Sequence, residues 1–218
     1  MIQINRRIIS FLIVILFGLL IYLVAWSSLF TVSGIQIVGT DQQSIRTASG
    51  ISIGEKLARV EPRAVARELK KPLWVKEATI SRNWLTGKVT IEITPRTPIG
   101  IFKGHYIDKS GTIFDIPGVS QLALPVVEGL STADGLAAIA LFTQLPADFR
   151  SKVRMVSAMN VDRFQLTIEE GKRTVSLMWG SDSEMDVKIK VFEALIALKE
   201  NSKISTVDVS APHAPIVK

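Results

Sequence analysis

The feature that most constrains this chain is a gap in its charge. No Asp, Glu, Lys or Arg falls between Arg7 and Asp41, and residues 8–26 within that gap read IISFLIVILFGLLIYLVAW, a 19-residue run that is almost wholly apolar. Wound as an α-helix at ~1.5 Å per residue, the run reaches about 28 Å, close to the ~30 Å hydrocarbon core of a bilayer. Tyr22 and Trp26 lie near its far end, where an interfacial aromatic belt places such rings. A cleaved signal peptide fits less well, because its apolar region spans only about 7–15 residues and no small-x-small cleavage site follows here. The expectation is a retained single transmembrane helix over residues 8–29. Arg6, Arg7 and the free amino group precede the run, and the next basic residue is Arg46. The positive-inside rule then leaves residues 1–7 as a cytoplasmic tail and the remainder of the chain outside the cytoplasm, at the cell (inner) membrane.

Composition narrows what that outer part can be. The chain has 218 residues, 47% of them hydrophobic and 21% charged, enough to build one large or two small folded units and too apolar for a disordered chain. It has no cysteine, which excludes disulfides, cysteine-ligated zinc and a thiol nucleophile. Its two histidines, His105 and His213, are far apart in sequence and give no metal-ligand spacing. The charge is uneven. Residues 32–98 hold 11 basic and 6 acidic side chains, net +5, whereas residues 99–218 hold 13 and 14, net −1. A basic unit next to a membrane could rest on anionic headgroups or wall polymers, or could simply be solvated.

The pattern along the outer part changes at two prolines, Pro95 and Pro98. Before them, Ile35 and Ile37 alternate as a strand. Thr40 with Gln43 resembles a capping box, and Gly50 follows as a stop for a helix over 42–49. Pro62 suits the first turn of a second helix, with Val65 and Leu69 stacked four apart and Lys70 and Lys71 at its negative end. Strands over 76–82 and 89–93 flank a turn at 83–87, so the order is β-α-α-β-β. After the prolines, strands are expected over 99–102, 106–107 and 112–114, with Asp108 to Gly111 as a turn. A helix over 133–145 and antiparallel strands over 153–161, 164–168 and 175–179 come next. A helix over 184–199 carries Val187, Val191, Leu195 and Leu198 as its apolar stripe. A last strand spans 205–210, and a tail over 211–218 follows. The fold class is α+β.

These residues resemble the FtsQ/DivIB family of bacterial division proteins. The resemblance rests on Phe30-x-Val32-x-x-Ile35-x-Ile37-x-Gly39 and on Ser49-Gly50-Ile51-x-x-Gly54-x-x-Leu57. It continues with Ala78-x-Ile80-x-Arg82-x-Trp84, Val89-x-Ile91-x-Ile93 and Arg96-x-Pro98. Beyond the prolines lie Ile107-Asp108-x-x-Gly111-x-x-Phe114, Leu124-Pro125-x-Val127-x-Gly129 and Val207-Asp208-Val209-Ser210. Leu85 and Pro95 depart from the family pattern. The resemblance implies a POTRA-like domain over 30–98 and a mostly antiparallel β domain with flanking helices over 99–210. Trp84 and the alternating Ile and Val are expected in or near the core.

No catalytic constellation is visible: there is no G-x-S-x-G, S-x-x-K, P-loop or G-x-G-x-x-G. Asp182, Glu184 and Asp186 read as dipole-facing acids before a helix. Glu169 and Glu170 read as part of a charged hairpin, and His105 has no evident partner. No catalytic, cofactor or metal residue is expected, and neither a nucleic acid nor a small-molecule substrate. Binding is the better prospect, because a last strand at a sheet edge can accept a partner strand. The resemblance implies that this end docks FtsB complexed with FtsL, and through them bears on the septal peptidoglycan synthase. The residues it assigns are Thr206, Val207, Asp208, Val209, Ser210 and Ala211, with Lys188, Phe192 and Leu195 of the flanking helix lining the surface. Two other readings stay open at this level: a membrane-anchored POTRA chaperone or translocation component, and an anchored cell-wall-modifying enzyme.

Overall fold

The computed structural model describes residues 6–26, 30–40, 42–119, 122–160 and 162–218. Residues 1–5 of the expected tail, 27–29 at the end of the expected span, and Val161 lie outside them, as do the side chains of Arg6, Arg7 and Trp26. The chain divides into two compact units, residues 1–96 and 97–218.

The first unit opens with α1, a 21-residue helix over Arg6–Trp26. Taken over the residues described, no helix is long and apolar enough to cross a membrane, so the spanning role remains a proposal. The β-α-α-β-β order then follows: β1 (Gly34–Val38), α2 (Gln42–Ser49), α3 (Pro62–Leu69), β2 (Val75–Arg82) and β3 (Lys88–Pro95). In the sheet β3 is central, parallel to β1 and antiparallel to β2. Val89, Ile91 and Ile93 alternate inward along it, and α2 and α3 close the core with Ile45 and Leu69. Gly39 ends β1 with φ +97, and a Cβ there would run into the Ile93 carbonyl oxygen, so only glycine fits. Arg82 locks the loop before α3 onto β2, donating from Nη1 to the carbonyls of Leu57 at 2.8 Å and Val60 at 2.7 Å. Trp84 is not a core residue. It is half-exposed, edge-on to Phe30 at 6.1 Å and beneath the Arg82 guanidinium at 5.1 Å.

The second unit is built on a nine-stranded sheet. Its strands are β4 (Pro98–Phe102), β5 (His105–Asp108), β6 (Ile113–Phe114), β7 (Val126–Gly129), β8 (Val153–Asn160), β9 (Arg163–Glu170), β10 (Arg173–Gly180), β11 (Thr206–Asp208) and β12 (Ile216–Val217). Their order across the sheet is β12-β11-β10-β9-β8-β7-β4-β5-β6. Three of the eight neighbouring pairs are parallel: β4 with β7, β7 with β8, and β10 with β11. The helices are α4 (Thr132–Gln144), α5 (Ala147–Arg150) and α6 (Met185–Ala197). Apolar residues of all three join the buried cluster of this unit.

Local chemistry explains most of these boundaries. Asp108 organises the β5–β6 turn, its carboxylate accepting from the backbone of Ser110 at 2.9 Å and Thr112 at 3.0 Å. Ser131 caps α4 in a reciprocal box with Asp134, which accepts from the Ser131 amide at 2.8 Å. The Ser131 hydroxyl, donating to the same carboxylate oxygen at 2.8 Å, and that amide hold the Asp134 carboxyl below its usual range. His105 does have a partner: its Nδ1 lies 2.9 Å from the Asp115 carboxylate, ten residues on and exposed.

Candidate functional site

The proposed docking strand lies near one end of the larger sheet, but it is not the outermost strand. β11 runs parallel to β10, with Leu177 opposite Val207. On its other side the tail folds back as β12, antiparallel, with Val207 opposite Val217 and Asp208 opposite Ile216. The Ser205 and Thr206 amides donate to the Lys218 carbonyl at 3.0 and 3.1 Å, and the Lys218 amide returns a bond to Thr206 at 2.9 Å. The tail is also tied at its start. His213 Nε2 lies 3.2 Å from Glu184 before α6, and Pro212 is buried. The expectation of an open edge at Thr206–Asp208 is therefore corrected. Three residues of strand are covered by two, and Ile216 and Val217 stand exposed at the rim.

Along β11 and just beyond it, alternate residues face the core. Val207 and Val209 are fully buried, whereas Thr206 and Asp208 are half-buried and Ser210 and Ala211 exposed. Strand pairing assigned to β11 stops at Asp208, whose carboxylate accepts from the Ser210 amide at 2.9 Å and bends the chain. The Val209 amide still donates to the Met178 carbonyl at 2.9 Å. Ser210 passes close over Gly180, where φ is +75 and a Cβ would come within 2.8 Å of the Ser210 Cβ.

The flanking helix does not present the expected surface. Lys188 is 0% exposed and Phe192 is fully enclosed; only Leu195 is half-buried. The inward face of α6 is Met185, Lys188, Ile189, Val191, Phe192, Leu195 and Ile196, while Val187 and Leu198 point outward. Of the stripe expected from Val187, Val191, Leu195 and Leu198, the middle two pack against the core and the outer two do not, so the face is turned from the one expected. The physical reason is that a lysine fills one core position. Its Nζ donates to the Ser181 carbonyl at 2.8 Å and sits 5.5 Å from the Trp179 ring centroid. Burial pushes this ammonium below the ordinary lysine value, against the opposing pull of Glu184 and Asp182.

Sequence reasoning missed the group that sets the start of β11. Arg173, at the head of β10, donates from Nη1 to the carbonyls of Ser202 at 2.8 Å and Asn201 at 3.0 Å. Asn201 Nδ2 in turn donates to the Leu195 carbonyl at 2.9 Å. Together they fix the connection from α6 into β11. The hairpin acids find partners on β8 and beside it: Glu169 pairs with Arg154 and Glu170 with Lys152. Among the described residues, no group of three or more His, Asp or Glu is placed to hold a metal ion.

The chain is thus a β-α-α-β-β unit followed by a mixed-sheet domain that returns on itself at the sheet's end. Residues 30–96 match the family described as POTRA domain, FtsQ-type, and residues 99–210 match Cell division protein FtsQ/DivIB, C-terminal. This chain belongs to the FtsQ/DivIB family of cell division proteins. Among its relatives is a cell division protein FtsQ of Streptomyces bingchenggensis, 28% identical over 215 residues, covering 90% of this chain and 79% of that one. One from Corynebacterium glutamicum is 26% identical over 192 residues, covering 81% and 85%. One from Salinibacter ruber is 29% identical over 114 residues, which span 48% of this chain and 44% of the relative.

Proposed function

We propose that this protein is a non-enzymatic scaffold of the division machinery, held in the cell membrane by α1 and acting outside the cytoplasm at the septum. The layout is a cytoplasmic tail (1–7), a membrane span (8–29), a POTRA-like domain (30–98), a β domain (99–210) and a tail (211–218). Support for the span comes from the charge-free run and from a helix over the same residues whose apolar side chains, among them Phe11, Leu16 and Phe17, stand exposed. The β domain docks an FtsB/FtsL-type pair, which in turn bears on the septal peptidoglycan synthase.

The observation that carries the docking reading is the unequal hold on β11. One side faces the eight-residue strand β10, the other a two-residue strand. So short a partner is readily exchanged for a longer strand of another chain, and main-chain pairing would then supply the affinity. Thr206, Val207 and Asp208 form the pairing rail. Val209, Ser210 and Ala211 form its exit, and Lys188, Phe192 and Leu195 support it from within.

The test uses the full-length chain. An N-terminal fluorescent fusion, with the native copy depleted, should give a midcell band and restore division. Thr206→Pro removes an amide that pairs with the Lys218 carbonyl, on the side a partner strand would take, and should abolish capture of the FtsB/FtsL pair. A thermal melt checks that the variant is folded. Deleting residues 212–218 should leave capture intact or strengthen it. Unchanged capture by folded Thr206→Pro, or loss of capture on tail deletion, would refute docking on β11.

A further inference from the structure

We infer that one end of the POTRA-like domain rests in the headgroup layer of an anionic bilayer, through two apolar loop tips. The inference depends on the reading of α1 as a membrane span. Only three residues separate Trp26 from Phe30. Four peptide steps reach at most about 14 Å, so Phe30 cannot lie far from the end of the helix.

Around Phe30 the chain is stitched between two loops. The Leu57 amide donates to the Phe30 carbonyl at 3.0 Å, and the Val32 amide and carbonyl pair with Glu55 and Gly54, each at 2.8 Å. On the other side the Ser33 amide donates to the Gly87 carbonyl at 2.9 Å, and Ser33 Oγ donates to the Thr86 carbonyl at 2.7 Å. The two loops are therefore neighbours of the point where the tether reaches the domain. The 83–87 turn also lies beyond the sheet end at which β1 and β3 begin and β2 finishes.

Both loops carry apolar side chains that the domain leaves largely exposed. Leu85 is 97% exposed and Ile53 61% exposed, with the half-exposed Trp84 ring beside Leu85. Leu and Ile tips beside a Trp are the composition of an interfacial contact. The charge of the two loop segments suits anionic lipid: residues 51–59 and 82–88 hold Lys56, Arg59, Arg82 and Lys88 against one acid, Glu55. Leu73 provides the contrast. It is also exposed, at 59%, but it precedes β2, whereas the Trp84–Leu85 turn follows it. The eight residues of that strand put the two leucines roughly 26 Å apart.

The chain has no cysteine, so single labels can be placed without background. Leu16→Cys, Leu85→Cys and Leu73→Cys are each spin-labelled in the full-length protein, in vesicles of phosphatidylglycerol and phosphatidylethanolamine. Accessibility to oxygen and to a water-soluble nickel chelate is then read. The expected result is an oxygen-rich position for Leu16, several-fold lower nickel access at Leu85 than at Leu73, and a smaller contrast in purely zwitterionic vesicles. Leu16 in lipid with Leu85 as water-accessible as Leu73 overturns the inference and leaves the span standing. Leu16 accessible to nickel overturns the span and the inference with it. A contrast at Leu85 that is equal in zwitterionic vesicles overturns the anionic requirement.

Discussion

The two sheets of this protein hold their strands by different means. In the POTRA-like unit, every buried apolar residue is Val, Ile or Leu, and its central strand pairs along five or more residues on each side. In the larger unit the cluster includes Phe102, Phe149, Phe164, Trp179 and Phe192, and its last strands are only three and two residues long. Polar groups do the fastening there. Arg173, Asn201 and Lys188 each donate to backbone carbonyls around the path into and beneath β11. Long pairing with alternating aliphatic residues specifies a strand by itself. A strand too short for that needs side chains that seize the backbone on either side of it.

The contrast is tested most severely at Lys188. Lys188→Ala leaves a cavity and an unpaired Ser181 carbonyl, and should lower the unfolding free energy by about 2–5 kcal/mol. Lys188→Met keeps the volume and should lose much less. The wild type also carries a pH signature that both variants lack. Because the folded value of Lys188 lies below its unfolded value, the unfolded chain holds the proton more tightly. Stability then rises with pH from the folded value up to the ordinary lysine range. Denaturant melts should show that rise in the wild type relative to Lys188→Met; a parallel pair of curves would contradict a buried, proton-linked lysine.

In the first unit the strongest single change is in the backbone. Gly39→Ala should destabilise by about 3 kcal/mol, through the left-handed φ and the clash with Ile93. Thermal unfolding of the full chain should show the loss in that unit's transition. Arg173→Ala comes next, at about 1–2 kcal/mol for two charged donations that are partly exposed. Hydrogen exchange should report its effect at residues 201–206 rather than in the hairpin. Ser131→Ala is the smallest, about 1 kcal/mol for one lost cap, with faster amide exchange confined to the first turn of α4. If Arg173→Ala loosened the whole sheet equally, the idea of a locally fastened β11 would fail.

The β-α-α-β-β order, the bounds of α2 and the start of α3 are legible in the sequence because each carries its own signal. These are Gly50 after one helix, Pro62 at the start of the next, and Ile and Val at period two in β3. The same local signals gave the long antiparallel hairpins β8 to β10. Short elements were less legible. β7 has four residues and one fully buried side chain, Val127, too few for alternation to register. β12 hides in a tail with two prolines, where only the β-branched pair Ile216 and Val217 hints at a strand. The α4 capping box escaped notice because Asp134 stands where the usual pattern has Glu or Gln. The inward face of α6 is only half legible, through Val191 and Leu195, because a lysine ordinarily marks polar surface and here fills a core position. Nothing in the local sequence says that residue 188 will find the Ser181 carbonyl. At the candidate site the place of the last strand is legible, though it spans Thr206–Asp208 and not all of 205–210; its cover by the tail and its anchor at Arg173 are not, since both depend on contacts many residues apart.

The central claim is that a partner strand takes the place of β12 along β11. Amide hydrogen exchange on the full-length protein, with and without an FtsB/FtsL-type pair, tests it most directly. The account predicts that Lys218 loses protection as the tail is released, while Thr206 and Val209 keep or gain it. Protection that stays unchanged across 205–218 while the pair is bound would contradict it.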